Sequence, residues 1–385
     1  MLTVRALRRP FFSKDVHVLA KLGLRSEAKL MDRVISGDNN ISTIRLALAL
    51  MVLWSHSFAF YYGTEAGEPI SVLTRGLYNA GNVGVACFLI MSGALVLRSW
   101  EKSAPIDFLI KRLLRLYPAY FVAVFFGAFI VAPIYAGLPL SQVITDHFLK
   151  WLLKNIAFNG YAPVDGVFVH SPVKVINGSL WSIFFEVICY IAMTAAVVLF
   201  RKGLVPILCS VLVLLTACKM YADGMGWNPG FGIIGKLFGW PYLWFSVGSW
   251  FVTGMLFYKW RAHIPRSPAI LMLISVTMAS AIWLPQQPIV AKVIVDVLYV
   301  PCLAYCLFYL CSSPKRAEEE LARRYDLSYG LYLYAFPLQQ MILSGFDYHV
   351  PFFIYVATAA IVTTAMAFMS WNFIERPAIF SVKHK

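Results

Sequence analysis

Long apolar runs broken by short polar, basic segments dominate the chain from residue 41 onward. Runs of the ~20 residues needed to cross a bilayer as helix fall at 41–63, 79–98, 117–137, 179–200, 203–221, 240–259, 268–285, 290–312, 328–346 and 350–373. Their length and unbroken apolarity predict helices rather than strands. The expected architecture is therefore all-α, a polytopic membrane bundle of about ten transmembrane helices. Residues 1–40 are polar and basic (Arg5, Arg8, Arg9, Lys14, Lys21, Arg25, Lys29, Arg33) and form a separate N-terminal arm, with no cleavable signal peptide evident. Residues 41–377 make the membrane domain and 378–385 a short tail. Between about 137 and 177 lies the longest connection, with Trp151, Lys154, Tyr161, Asp165 and His170; its length and aromatic content point to an interfacial helix shaping an external cleft.

Composition agrees with the pattern. The 385 residues are 60% hydrophobic and 14% charged, with a mean hydropathy of +0.70, whereas soluble chains run near ~45–50% apolar and ~25% charged. The excess apolar surface must face lipid. A net charge of +14 would suggest nucleic acid in a soluble protein, but here the cationic residues are spread between apolar runs and report topology. The loops after the second, fourth, sixth and eighth runs carry Arg98/Lys102/Lys111/Arg112/Arg115, Arg201/Lys202, Lys259/Arg261/Arg266 and Lys315/Arg316/Arg323/Arg324. Thr64–Glu68 and Gln286–Gln287 on the other side are poor in Lys and Arg. The positive-inside rule thus places both termini, including Lys383–Lys385, in the cytoplasm. The seven cysteines lie in or beside apolar runs without a metal-ligand pattern, and read as packing residues with no disulfide and no metal.

Against this apolar background a few ionisable residues stand out. Arg45 and His56 share the first run. Eleven residues of helix carry His56 about 20° past three full turns and ~16 Å along the axis from Arg45, so both project from one face. Ionisable groups at membrane depth are costly and mark functional sites by default; the competing reading is a snorkelling arginine plus a satisfied histidine. In NGSLWSIFFEVICYI, Glu186 lies about two turns inside the fourth run with Ser182 four residues earlier on the same face. Counted from the outer ends, Glu186 and His56 sit at a similar depth, ~10 Å in. A Glu186–His56 pair would orient the imidazole as a general base requires; a purely structural bridge is the alternative. Arg112 and Arg115 in FLIKRLLRLYPAY share a helical face. Their guanidiniums suit phosphate clamping, against plain positive-inside anchoring. The small residues of GNVGVACFLIMSGALV favour close helix packing, and FIERP at 373–377 offers an acid–base clamp at the last helix end.

Taken in order, the chain resembles the acyltransferase 3 family of integral-membrane acyltransferases that O-acylate cell-surface carbohydrates. The resemblance extends from about 41 to 377 and rests on Arg45 and His56, FLIMSGALV (88–96), FLIKRLLRLYP (108–118), SLWSIFFEVICYI (179–191), YGLYLYAFPLQ (329–339) and IERP (374–377). It implies His56 as the catalytic residue, Arg45 as its companion, and Arg112 and Arg115 as part of the donor site. Cys87 stands where the family commonly has Phe, and Ala335 where it has His. No part of the 385 residues is expected to form the hydrolase-like domain that some relatives append. On this basis the chain is expected to be an O-acyltransferase of the bacterial cytoplasmic membrane. The donor would be acetyl-CoA or another acyl-CoA, with no permanently bound cofactor and no nucleic-acid partner. The acceptor would be a cell-surface or lipid-linked carbohydrate. Arg112, Arg115 and Arg45 would hold the CoA phosphates while His56, oriented by Glu186, activates the hydroxyl; direct transfer and an acyl-histidine intermediate use the same residues. The alternative from another class is a transporter or flippase of a lipid-linked saccharide, with Arg45, His56 and Glu186 as relay groups.

Overall fold

Several of the helices begin where the chain supplies caps or prolines. Asn79 accepts from the Asn82 amide at 2.7 Å and opens one of them. Ser267 caps another, and Pro105, Pro241 and Pro268 occupy first turns, where a missing N–H costs nothing. The computed structural model describes residues 29–136, 146–156, 166–230, 235, 238–284 and 289–381. Among the described residues no strand occurs, apart from an isolated bridge between Lys29 and Pro265. The principal helices are α1 (Ile41–Tyr62), α2 (Ala80–Trp100), α3 (Pro105–Phe126), α4 (Asp146–Ile156), α5 (Trp181–Leu199), α6 (Leu204–Met225), α7 (Pro241–Lys259), α8 (Pro268–Trp283), α9 (Ile289–Cys311), α10 (Ala317–Arg324), α11 (Ser328–Gly345) and α12 (Phe352–Ser370). Helix α3 continues through a π-helical turn, Gly127–Val131, and α12 through another, Trp371–Glu375, into Arg376–Phe380.

All ten apolar runs fall on helices, but seven, not ten, are long and apolar enough to cross a membrane by length and composition among the described residues. Helix α8 has 16 residues. Helices α7 and α11 are diluted by Gly, Ser, Thr, Tyr and Gln, and the reason is their position. In α11 the run from Ser328 to Gln340 is buried without a break, so its neighbours are protein rather than lipid and its side-chain amide nitrogens find partners there. Gln339 donates to the Leu53 carbonyl and Ser57, and Gln340 to the Val175 carbonyl. Helix α7 crosses α2 at glycines. A Cβ on Gly93 would fall onto the Phe251 carbonyl and one on Gly254 onto that of Ile90, which bears out the packing role expected of the small residues.

The polar arm does not end cleanly at residue 40. Leu30, Met31 and Val34 are buried, and Arg98 donates to the carbonyls of Val34 and Ile35. Residues 1–28 lie outside the described residues, as do Tyr161 and Asp165 of the long connection, Gln286–Gln287 and Lys383–Lys385. Within that connection α4 is the expected extra helix. It buries Trp151 and Leu152, and the Asn155 carbonyl accepts from the Tyr120 hydroxyl at 2.7 Å.

The start of α1 is held by Glu319 of α10. Its buried carboxylate accepts from the amides of Ser42 (3.1 Å) and Thr43 (2.8 Å), from the Thr43 hydroxyl (2.9 Å), and from Arg323 Nε (2.7 Å). A carboxylate here satisfies orphan N–H groups and complements the helix dipole. Burial opposes the charge, but Arg323 and these donors hold the Glu319 carboxyl below its ordinary range. Helix α1, which carries both Arg45 and His56, is therefore fixed at its first turn.

Candidate active site

Arg45 from α1, Arg112 and Arg115 from α3, and Glu186 from α5 line one pocket of about 150 Å³, together with Ser92 of α2 and Tyr332 of α11. Four of the five residues singled out from spacing and depth are thus gathered in one place, and His56 is not among them. Asp326, between α10 and α11, completes the cluster and was not foreseen. Its carboxylate accepts from Arg45 at 2.9 Å, Arg115 at 2.5 Å and the Ser328 hydroxyl at 2.8 Å. Burial pushes the Asp326 carboxyl up, but Arg45 and Arg115 outweigh it and hold the group well below the usual carboxylate range. Arg112 is different. Among the described residues it has no carboxylate partner; its Nε is buried without a hydrogen-bond partner, and its guanidinium lies 5.6 Å from the Phe108 ring centroid. Three guanidiniums line one pocket, with the carboxylates of Glu186 and Asp326 close by, and Arg112 is the least compensated of the three.

Glu186 does not orient His56. Its Oε1 accepts from the Ser92 hydroxyl at 2.7 Å and the Tyr190 hydroxyl at 2.5 Å. Counting residues from the helix ends locates depth but not azimuth, and Glu186 turns toward α2. His56 packs instead on aromatic rings, with its centroid 5.2 Å from Phe336 in an edge-to-face arrangement and 6.1 Å from Phe60. Its Nδ1 is buried without a hydrogen-bond partner. A ring nitrogen left free in this way is available to take or deliver a proton.

The pocket stops short of His56. At its upper end Ser182 and Tyr332 are hydrogen-bonded at 2.6 Å, and one turn further along α11 Phe336 covers His56. Gly178 backs Phe336 closely; a Cβ there would lie 2.5 Å from the ring. Arg45 at the pocket and His56 beyond it are carried by one helix, α1. The expected Glu–Arg clamp in FIERP is also revised. Glu375 turns inward through the π-helical turn and accepts from Ser370 at 2.9 Å, away from Arg376. Ser92 and Asp326 escaped sequence reading because their partners lie far away in the chain. Tyr190, four residues after Glu186 on the same helical face, was the signal available in the sequence.

Comparison with known proteins gives a consistent answer. A family model described as an acyltransferase domain matches residues 38–371. An O-acetyl transferase of Shigella phage Sf6 is 25% identical over 344 residues, covering 88% of this chain and 95% of that protein. Nodulation protein 10 of Rhizobium leguminosarum bv. viciae is 26% identical over 372 residues, covering 89% of this chain and 93% of that one. No solved structure matches significantly.

Proposed function

This chain belongs to the acyltransferase 3 family, and from that membership we propose an acyl-CoA-dependent O-acyltransferase acting on a hydroxyl of an extracytoplasmic or lipid-linked carbohydrate. It is a multi-pass membrane acyltransferase; the proposal concerns its donor, acceptor and residues. The name of the phage relative supports acetyl as the group transferred. The observation that carries the donor reading is the meeting in one pocket of Arg45, from the helix that also carries His56, with Arg112 and Arg115 of α3. The basic loops support an orientation in which this pocket opens to the cytoplasm of a bacterial cell, in its inner membrane.

In this reading the CoA phosphates rest on Arg112 and Arg115, with Arg45 held in place by Asp326. The pantetheine arm runs through the pocket toward His56. A ring nitrogen of His56 takes the proton of the acceptor hydroxyl as its oxygen attacks the thioester carbonyl. The carbon–sulfur bond breaks, and CoA leaves as thiolate, reclaiming the proton from the imidazolium. Charge stays balanced at each stage. The flippase reading has no counterpart among the relatives.

Two measurements test this. Mass spectrometry of surface glycans from cells with and without the gene is expected to differ by one acyl group per modified residue; identical glycans would remove the carbohydrate acceptor. Arg112→Ala is expected to weaken acyl-CoA binding to purified protein by about 10- to 100-fold, the worth of a charge-assisted hydrogen bond, with little change in melting temperature. Lysine restores only part of it, because the planar fork is lost. Unchanged affinity would reduce the arginine to a topological anchor.

A further inference from the structure

Arg115 lines a second cavity besides the pocket, a cleft of about 600 Å³. It lies where the end of α10 (Arg323, Arg324) and Tyr325 face the π-helical turn after α12 and the closing helix Arg376–Phe380. Four arginines line it, Arg115, Arg323, Arg324 and Arg376, and among the described residues no carboxylate does.

The four are not equivalent. Arg115 is committed to Asp326. Arg323 is spent on Glu319 and on the carbonyls of Gly37 and Asn39. Arg324 and Arg376 have no carboxylate within ion-pair reach among the described residues, and each guanidinium lies over a ring, Tyr325 at 5.4 Å and Phe380 at 5.7 Å. Most of the rest of the wall is aromatic, with Met369, Asn372 and Ile379 between the rings. Phe368 packs on Tyr325 with centroids 5.3 Å apart, and Trp371 donates to the Arg324 carbonyl at 3.2 Å. Uncompensated guanidiniums among aromatic rings suit a ligand that is both a phosphate and a flat base.

Size decides between the two cavities. The pocket of about 150 Å³ falls below the ~300–1,000 Å³ of sites that enclose a drug-sized ligand, so it holds only part of the donor, the end of the acyl-pantetheine arm, and leaves the nucleotide outside. The cleft of about 600 Å³ falls within that range, and Arg115 is common to both. We propose that the cleft binds the adenosine 3′-phosphate end of acyl-CoA. Arg324 and Arg376 would meet the 3′-phosphate and the aromatic wall the adenine, while the pyrophosphate passes Arg115 and the arm enters the pocket. The inference rests on the donor reading above and adds to it the site of the nucleotide.

The test compares acetyl-CoA with acetyl-3′-dephospho-CoA by calorimetry on the full chain in nanodiscs of phosphatidylcholine. The wild type is expected to prefer the 3′-phosphorylated donor by about tenfold or more, the worth of a charge-assisted contact. The double variant Arg324→Gln/Arg376→Gln is expected to lose that preference while keeping its affinity for the dephospho donor. The single variant Arg376→Gln, at an exposed position, is expected to lose part of it. Arg112→Ala should weaken both donors alike. Equal affinity of the wild type for the two donors overturns the nucleotide site and leaves the donor pocket standing. Failure to bind either overturns both. Absence of a preference together with Arg376-dependent retention of phosphatidylglycerol through purification identifies a lipid-headgroup site and overturns the inference.

Discussion

Replacing His56 by Ala is expected to lower acyl transfer by at least ~10²–10⁴-fold, the contribution of a positioned general base, while the protein still inserts and still binds donor. Binding survives because His56 lies beyond the pocket, one helical turn past the Ser182–Tyr332 hydrogen bond. Folding survives because the imidazole makes no hydrogen bond through Nδ1 whose loss would strand a partner; Phe60 and Phe336 lose only packing area. The measurement is glycan acylation in cells expressing wild-type or variant protein at equal levels, paired with calorimetric donor binding. Robust acylation by the variant would remove His56 from the chemistry. Unmodified saccharide retained on the inner face, in place of lost acylation, would favour a transporter.

Asp326→Ala is expected to act on stability. The carboxylate is the shared counterion of Arg45 and Arg115, with side-chain exposures of 15%, 23% and 25%. Removing one partner of a largely buried ion pair costs on the order of 3 kcal/mol, because the remaining charges stay desolvated and uncompensated; here two cations are also left facing each other. A melting temperature in detergent lower by several degrees is the expected result. The pH dependence follows from the same group. Its carboxyl is held below the ordinary value in the folded protein, so its contribution is complete above ~3.9 and is lost as pH falls below that toward the folded value. Asp326→Asn should therefore flatten the acid limb of the stability profile. An unchanged acid limb, or a variant as stable as wild type, would show that the pair contributes nothing net.

The architecture and most of the site were legible because membrane depth makes charge conspicuous. Arg45, Glu186 and His56 stand out in apolar runs, and the spacing of Arg112 and Arg115 sets their common face; the pocket gathers Arg45, Arg112, Arg115 and Glu186. What periodicity could not give was rotation about each helix axis. Glu186 and His56 were matched in depth, yet Ser92 and Tyr190 hold the carboxylate while aromatic rings surround the imidazole. Partners across the chain, such as Asp326 for Arg45 and Glu319 for the first turn of α1, leave no repeat to detect. Counting spans by apolarity met the opposite difficulty. Helices α7 and α11 are polar for spans because they lie inside the bundle, and the ten expected spans reduce to seven by that criterion.

The barrier formed by Ser182, Tyr332 and Phe336 between the arginine pocket and His56 bears on the cell's electrical insulation. A protein spanning a bilayer is part of the wall across which a potential is stored, worth ~2.3 kcal/mol per charge for each 100 mV. A water-filled bore joining a cationic vestibule to the far side would short-circuit that store. A hydrogen-bonded pair backed by an aromatic ring is a septum, with the Ser182 and Tyr332 hydroxyls 2.6 Å apart and Phe336 one helical turn further on. On the donor reading, so thin a septum would let a neutral acyl chain press through by side-chain rotation, while a hydrated ion would meet the full expense of dehydration.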